Sequence, residues 1–600
     1  MQETKAPPKR SEMDPKYTWA TEDMFASDEL WQKALEKAGA YKEQIASYQG
    51  RLCENADTLY SYLQLSEKID KELSLLYNYA NRKSDEDTAN SKYQDMCGKI
   101  LSFIVELSSI TSFETPEILA VSDDTLKSFL EAKPQLRLYS RYLDQIRRKK
   151  EHILSAAEER ILALSGEICQ APEQIGSVFR DADLKFPDVT DSAGKSYSLT
   201  SGSYGLLREN ADRTLRKNAF ETFFRRYEAF KNTTAAFLDA QVKQLIFHAR
   251  ARNYANTLEA ALDQTEVPTS VYHNLIDTVH GNLKTLHKYI ALRKKLMNLE
   301  ELHMYDLYTP IVKDIDHTIS FEEAKEATLN ALAPLGEDYL TLLREGYANR
   351  WIDVYENEGK RSGAYSSGGD PHPYVLLNHK DTLDSQFTLA HEMGHALHTY
   401  LSRKNQPYVY SDYVIFVAEV ASTCNEVLMM HYLLGKSTDL QERAYLINHF
   451  LEQFRTTLYR QTMFAEFELL MNQHAEKGEA LTAELLSQLY YQLNQQYYGN
   501  DVVSDPEIAY EWAYIPHFFY DYYVFQYATG FSAAVALADR ILKEGKPAVD
   551  DYIRFLSSGS STDPISLLKI AGVDMTSPEP IQKALALFDR LIDEMEALLT

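Results

Sequence analysis

FTLAHEMGHALHTY, residues 387–400, carries His391 and His395 four positions apart, with Glu392 directly after the first. Phe387, Leu389, Ala390, Met393 and Ala396 are apolar and no proline interrupts the run, so the stretch predicts a helix in an apolar surround. On that helix both imidazoles lie on one face about one turn apart, the reach of a tetrahedral zinc ion. Glu392 projects beside them, placed to take a proton from a water whose pKa the metal lowers and to deliver it to a leaving amine. That is the chemistry of peptide-bond hydrolysis. Chance gives such an HExxH pattern roughly 0.03 times in a chain of this length and histidine content. Histidines in so apolar a segment need partners. Gly394, a poor helix former between them, marks a point where another chain or a substrate passes close.

The following apolar segment, IFVAEVASTCNEVLMM (Ile415 to Met430), has no Gly or Pro and few charges. Glu419 and Glu426 are seven apart with Ser422 and Thr423 between them, so these polar groups share one stripe of a buried helix. A buried carboxylate needs a cation or donors. Glu419 is expected as the third zinc ligand and Glu426 as acceptor for the outer N–H of a ligand imidazole. His398, on the same helix face as His391 and His395, competes for the ligand role. Three histidines within two turns of one straight helix are poorly spread for a tetrahedral ion, so His398 ranks as a neighbour of the ligands or a packing residue.

YEWAYIPHFFYDYYVFQYATGFS, Tyr510 to Ser532, crowds tyrosines around His517. Hydrolysis through a tetrahedral intermediate needs hydrogen-bond donors for the developing oxyanion, and phenol and imidazole N–H groups supply them. His517, Tyr520, Tyr523 and Tyr527 are spaced three, three and four apart and would form one stripe on a helix. Plain aromatic packing is the competing reading for each tyrosine.

Around these segments, the chain from about Glu29 to Leu164 has helical periodicity, and so do Asn210 to Ala348 and Leu383 to the end. Asp181 to Gly205, rich in Gly and with a Pro, predicts a small hairpin or lobe boundary. Trp351 to Tyr355 and Pro373 to Asn378 read as short strands, which sets a small sheet just before the HExxH helix. The expected division is 1–200 as a helical lobe and 201–600 as the catalytic domain. The 600 residues are 44% hydrophobic, with 41 Tyr and 25 Phe, the composition of a packed globular protein. The first 25 residues show no apolar run, and no long apolar stretch stands out elsewhere, so a cytoplasmic location is expected. The net charge of −26 disfavours nucleic acid and anionic membranes as partners. Four scattered cysteines without a CxxC pair predict reduced thiols. No pattern specifies an oligomeric state.

Taken together, DADLKFP at 181, HMYDLY at 303, NRWIDVYENEGKRSGAYS at 349, HPYVLLN at 372, FTLAHEMGHALHTY at 387, FVAEVASTCNE at 416 and PHFFYDYYVFQYATGFS at 516 resemble the oligoendopeptidase F group of thimet-oligopeptidase-like zinc metallopeptidases along nearly the whole chain. The resemblance implies a mostly α-helical, two-lobed clamshell around a deep channel that admits short unstructured peptides. It implies one zinc ion per chain on His391, His395 and Glu419, with Glu392 as general base and His517 with nearby tyrosines as transition-state donors. The tyrosine spacing after His517 departs from that of the thimet-type relatives; Tyr523 and Tyr527 are preferred over Tyr520 and Tyr522. An edge strand at Gly363, Ala364 and Tyr365, or at Pro373 to Leu376 with His372 and Tyr374, would pair with the substrate backbone, and Tyr520 would line the same site. A dipeptidyl carboxypeptidase of similar architecture and a non-catalytic peptide-binding protein are the alternatives. The first requires a fixed cation for the substrate carboxylate; the second requires loss of a ligand or base, and none is missing.

Overall fold

The computed structural model describes residues 6–312, 318–368 and 370–600. The first five residues of the charged N-terminal stretch lie outside that description. The chain is 72% helix and 3% strand, in agreement with the helical periodicity. Seven helices carry the argument below: α1 Ala56–Glu86, α2 Ser91–Ile110, α3 Lys231–Ala251, α4 Leu383–Asn405, α5 Ile415–Lys436, α6 Arg460–Glu476 and α7 Phe525–Glu544.

Two compact units are interleaved along the sequence. One comprises Met1–Glu151, His317–Met429 and Leu537–Gly572; the other comprises His152–Asp316, Met430–Ala536 and Val573–Thr600. Contacts thus group the chain differently from the linear division at residue 200.

In the first unit α1 and α2 pack together, with Leu59, Tyr62, Ile69, Leu76, Ile100 and Phe103 in one apolar core. Within Ser91–Ala120 an 18-residue window has a mean hydropathy of 1.3, so by length and composition the segment could cross a membrane, which corrects the reading that no long apolar stretch exists. A 3-10 turn over Thr111–Phe113 interrupts the segment, and its Met96, Ile100, Phe103 and Leu107 are buried. The sheet before α4 has three strands, β1 Ile352–Asp353, β2 Tyr365–Ser367 and β3 Tyr374–Leu376, in the order β1-β3-β2. β3 runs parallel to β1, pairing Ile352 with Val375, and antiparallel to β2, pairing Ser366 with Val375. Tyr374 and Leu376 join the core of the unit.

Helix α4 starts where its sequence instructs it to. Thr382 caps it by accepting the N–H of Ser385, Asp384 occupies the first turn, and Arg403 and Lys404 face the negative end of the helix dipole.

In the second unit the expected hairpin forms, with Thr190 opposite Ser196 and Gly194 at φ 83° in its turn. The HMYDLY segment contributes a short strand, Leu302–His303, parallel to Val502–Val503. Asp306 fixes it by receiving Arg216 at 2.8 Å and Arg213 at 2.9 Å.

Candidate active site

Helices α4 and α5 of the first unit approach closely at one glycine. A Cβ on Gly394 would lie 2.6 Å from Ser422 Cα and 2.9 Å from Ala421 O. The close passer expected at Gly394 is therefore the chain's own α5. Asn425 locks the crossing by donating from Nδ2 to the Ala390 carbonyl at 3.0 Å.

This approach brings the donors together. His391 Nε2 and His395 Nε2 are 3.2 Å apart, and Glu419 Oε2 lies 3.4 Å from the first and 3.5 Å from the second. Ligands at about 2.0–2.1 Å from a tetrahedral zinc ion are separated by about 3.4 Å, so the triangle has the edge lengths of one face of such a tetrahedron. Two imidazole nitrogens and a carboxylate oxygen converging on one point are a donor set that fits a divalent cation. Among the described residues this is the one cluster of histidine, cysteine and carboxylate groups with metal-ligand geometry.

The surroundings orient each donor. His391 Nδ1 bonds Glu426 Oε1 at 2.5 Å, which aims Nε2 at the triangle. Burial opposes charge on His391, but the Glu426 bond and the carboxylates of Glu426, Glu392 and Glu419 outweigh it and raise the imidazole to about 9. Burial likewise opposes charge on Glu419, yet His395, His391 and the Ser422 hydroxyl, which donates to Oε2 at 3.1 Å, bring it down to about 2. Glu392 is 6% exposed, and its Oε2 has no hydrogen-bond partner among the described residues. Burial pushes its carboxyl upward, in the direction a general base for water requires. His398 is outside the cluster. It is buried, stacked on Tyr413 with ring centroids 3.7 Å apart, and burial depresses it to about 3.

The sheet corrects the choice of edge strand. β3 is central and paired on both sides, so Pro373 to Leu376 offers no free edge. Tyr374 is fully buried and donates its hydroxyl to the Ala20 carbonyl, while His372 stacks on Trp351 with its ring nitrogens facing Pro373 O and Asp23. Both are packing residues: Tyr374, Val375 and Leu376 are all buried along the central strand, and His372 is buried just before it. β2, by contrast, is at the border of the sheet. Gly363 and Ala364, just before it, line a cavity of about 310 Å³ with Asn378, Ser385 and Thr388. Asn378 shapes that loop by donating to the carbonyls of Arg361 and Gly363. Tyr365 of β2 turns its hydroxyl to Asp85.

In the second unit His517 and the tyrosines do not share one helix, as their spacing suggested. Pro516–Phe519 is a single 3-10 turn, Asp521 and Tyr522 have φ of 52° and 61°, and α7 begins only at Phe525. The rings gather nonetheless: His517 lies 5.6 Å from Tyr520, 6.4 Å from Tyr523 and 5.9 Å from Tyr527. Tyr527 OH is 3.5 Å from His517 Nε2. Burial lowers the His517 pKa, favouring the neutral imidazole. Tyr522 is separated from the group, buried with its hydroxyl on Thr257. Sequence reasoning missed Asn425, Gln241 and Glu468, the last one of two carboxylates in the otherwise apolar run FAEFELLM.

Residues 206–587 match the family described as Peptidase family M3, and residues 117–186 match that described as Oligopeptidase F. The chain is 48% identical to "Oligopeptidase PepF" of Bacillus subtilis, covering 99% of this chain and 88% of that protein. It is 41% identical to the chromosomal "Oligoendopeptidase F" of Lactococcus lactis subsp. cremoris, covering 98% of each. Among solved structures, oligoendopeptidase-F from Enterococcus faecium superposes with a TM-score of 0.75 at 38% identity, covering 95% of this chain and 99% of that one. A peptidase structure from Chlamydophila abortus superposes with a TM-score of 0.92 at 35% identity over 99% and 100% of the two chains. Matches of this extent and identity, running through most of the sequence, make this chain a member of peptidase family M3 and hence a peptidase.

Proposed function

We propose that the protein is a zinc-dependent endopeptidase of short, unstructured peptides. The donor triangle of His391, His395 and Glu419 beside the buried, unpartnered carboxylate of Glu392 carries this reading. His391, His395 and Glu419 would hold a divalent cation, which when bound would supply a lowered pKa for water and polarisation of the scissile carbonyl. Glu392 takes a proton from the attacking water and returns it to the leaving amine. Glu426 holds His391 in the tautomer that presents Nε2, and Ser422 orients Glu419. His517, Tyr523 and Tyr527 donate to the oxyanion of the tetrahedral intermediate. Gly363 to Tyr365, at the border strand, pair with the peptide backbone, an interaction that reads few side chains and tolerates varied sequence. Zinc as the resident ion, a cytoplasmic location and the assignment of residues 201–600 as the catalytic region belong to the same proposal.

The test is cleavage of an internally quenched, end-blocked peptide of about ten residues. Chelation should abolish it, zinc should restore it, and Glu392→Gln should lower kcat by about 10²–10⁴ with metal still bound. Failure of the zinc-loaded wild type to cut blocked peptides, with dipeptides released from free C-termini, would replace this reading with the carboxypeptidase.

A further inference from the structure

The turn between His517 and α7 adopts a backbone that its own residues disfavour. Asp521 and Tyr522 are consecutive non-glycine residues with φ of 52° and 61°, where a Cβ crowds its own backbone. Such a turn persists where neighbours over-determine it. Glu468 on α6 accepts the Tyr522 N–H on Oε1 at 2.7 Å. Gln241 on α3 donates from Nε2 to Asp521 Oδ1 at 3.0 Å and to the Phe519 carbonyl at 3.3 Å. Thr257 Oγ1 meets Tyr522 OH at 2.9 Å and donates to Glu476 at 2.8 Å.

Two features separate this clamp from ordinary packing. Glu468 and Gln241 are 1% and 4% exposed, and Glu468 Oε2 has no partner among the described residues, so the carboxyl is kept in the interior at a cost to stability. A cavity of about 410 Å³ borders Tyr520 to Tyr523, leaving the turn room to relax if the clamp is removed.

We propose that Glu468 and Gln241 are positioning residues for the hydrolytic reaction: they hold the left-handed Asp521–Tyr522 turn and thereby fix the His517 and Tyr523 side chains relative to Tyr527. This inference rests on the reading above in which His517 and Tyr527 donate to the oxyanion. The turn joins the 3-10 turn bearing His517 to the start of α7, so a change in its dihedrals displaces one donor against the other. Catalysis by aligned donors falls steeply with such displacement.

Burial lifts the Glu468 carboxyl to about 8, so it is protonated at neutral pH and glutamine is its isostere there. Methionine keeps the volume but removes the acceptor. The experiment compares kcat and KM for a quenched peptide in Glu468→Met, Glu468→Gln, Gln241→Met and His517→Ala, with metal content measured for each. The expected result is a fall in kcat of about 10-fold or more for Glu468→Met and Gln241→Met, with KM within about 2-fold, full metal content, and Glu468→Gln recovering to within about 3-fold of wild type. If His517→Ala retains wild-type kcat, the oxyanion reading fails and the positioning role falls with it. If His517→Ala is impaired while the methionine variants match wild type, the positioning role alone is overturned. Equal kcat losses in Glu468→Gln and Glu468→Met also overturn it, because the acceptor would then be irrelevant. Should Glu468→Met not fold, Gln241→Met decides by the same criteria.

Discussion

His391 Nδ1 and Glu426 Oε1 lie 2.5 Å apart, so an α5 carboxylate sets the direction in which an α4 imidazole presents its other nitrogen. Removing the acceptor by Glu426→Leu is expected to weaken metal binding by about 10–100-fold. Competition against a chromophoric chelator measures this, and an unchanged affinity would remove Glu426 from its orienting role. Because His391 is held near 9, metal loading at pH 7 should also release about one proton into a weakly buffered solution.

Gly394 tests the helix crossing. The 2.6 Å approach of a Cβ to Ser422 Cα is backbone against side chain, with no flexible group to yield. Gly394→Ala should therefore destabilise the protein by about 1–3 kcal/mol despite alanine's better helix propensity. It should also loosen the metal by moving Glu419 away from the histidines. A thermal unfolding scan showing equal or higher Tm would contradict the crossing.

Lys360 and Asp353 form a buried pair, with both side chains fully inaccessible and Nζ 2.7 Å from Oδ1. Lys360 Nζ also donates to the carbonyls of Tyr355 and Leu377 at 2.7 and 2.6 Å, tying the loop before Gly363 to the sheet. Lys360→Met strands the two carbonyls while Arg10 still pairs with Asp353 at 2.5 Å, and a loss of about 1–3 kcal/mol is expected. A loss below about 1 kcal/mol in denaturant unfolding would show that the pair is dispensable.

Glu468 makes stability depend on pH. Its folded pKa of about 8 lies above its ordinary 4.5 because burial disfavours the charge, and Asp521 beside it adds to the effect. An acid raised on folding contributes fully below its unfolded pKa and loses that contribution as pH rises through the folded value. Wild type should thus lose stability relative to Glu468→Gln between pH 5 and 8, at up to about 1.4 kcal/mol per pH unit. Tm differences that stay flat across this range would show that the carboxyl is not held neutral.

The convergence of His391, His395 and Glu419 was legible in the sequence because it depends on local periodicity. A four-residue spacing on a helix fixes two histidines on one face whatever surrounds them, and carboxylates in an otherwise apolar helix announce a buried partner. Helical content and the position of the small sheet were legible for the same reason. What tertiary structure decided was everything that depends on a neighbour distant in sequence. It decided which segment fills the space at Gly394, and that β3 is the middle strand so that Tyr374 and His372 are interior. It also decided that the tyrosines after His517 gather across a left-handed turn instead of along a helix. Spacing by itself predicts a stripe, but the 3-10 turn that starts at Pro516 ends before the positive φ of Asp521 and Tyr522, and that backbone is held by Glu468 and Gln241, more than fifty and two hundred and seventy residues away in sequence. Periodicity encodes the face a residue occupies; only packing determines what that face meets.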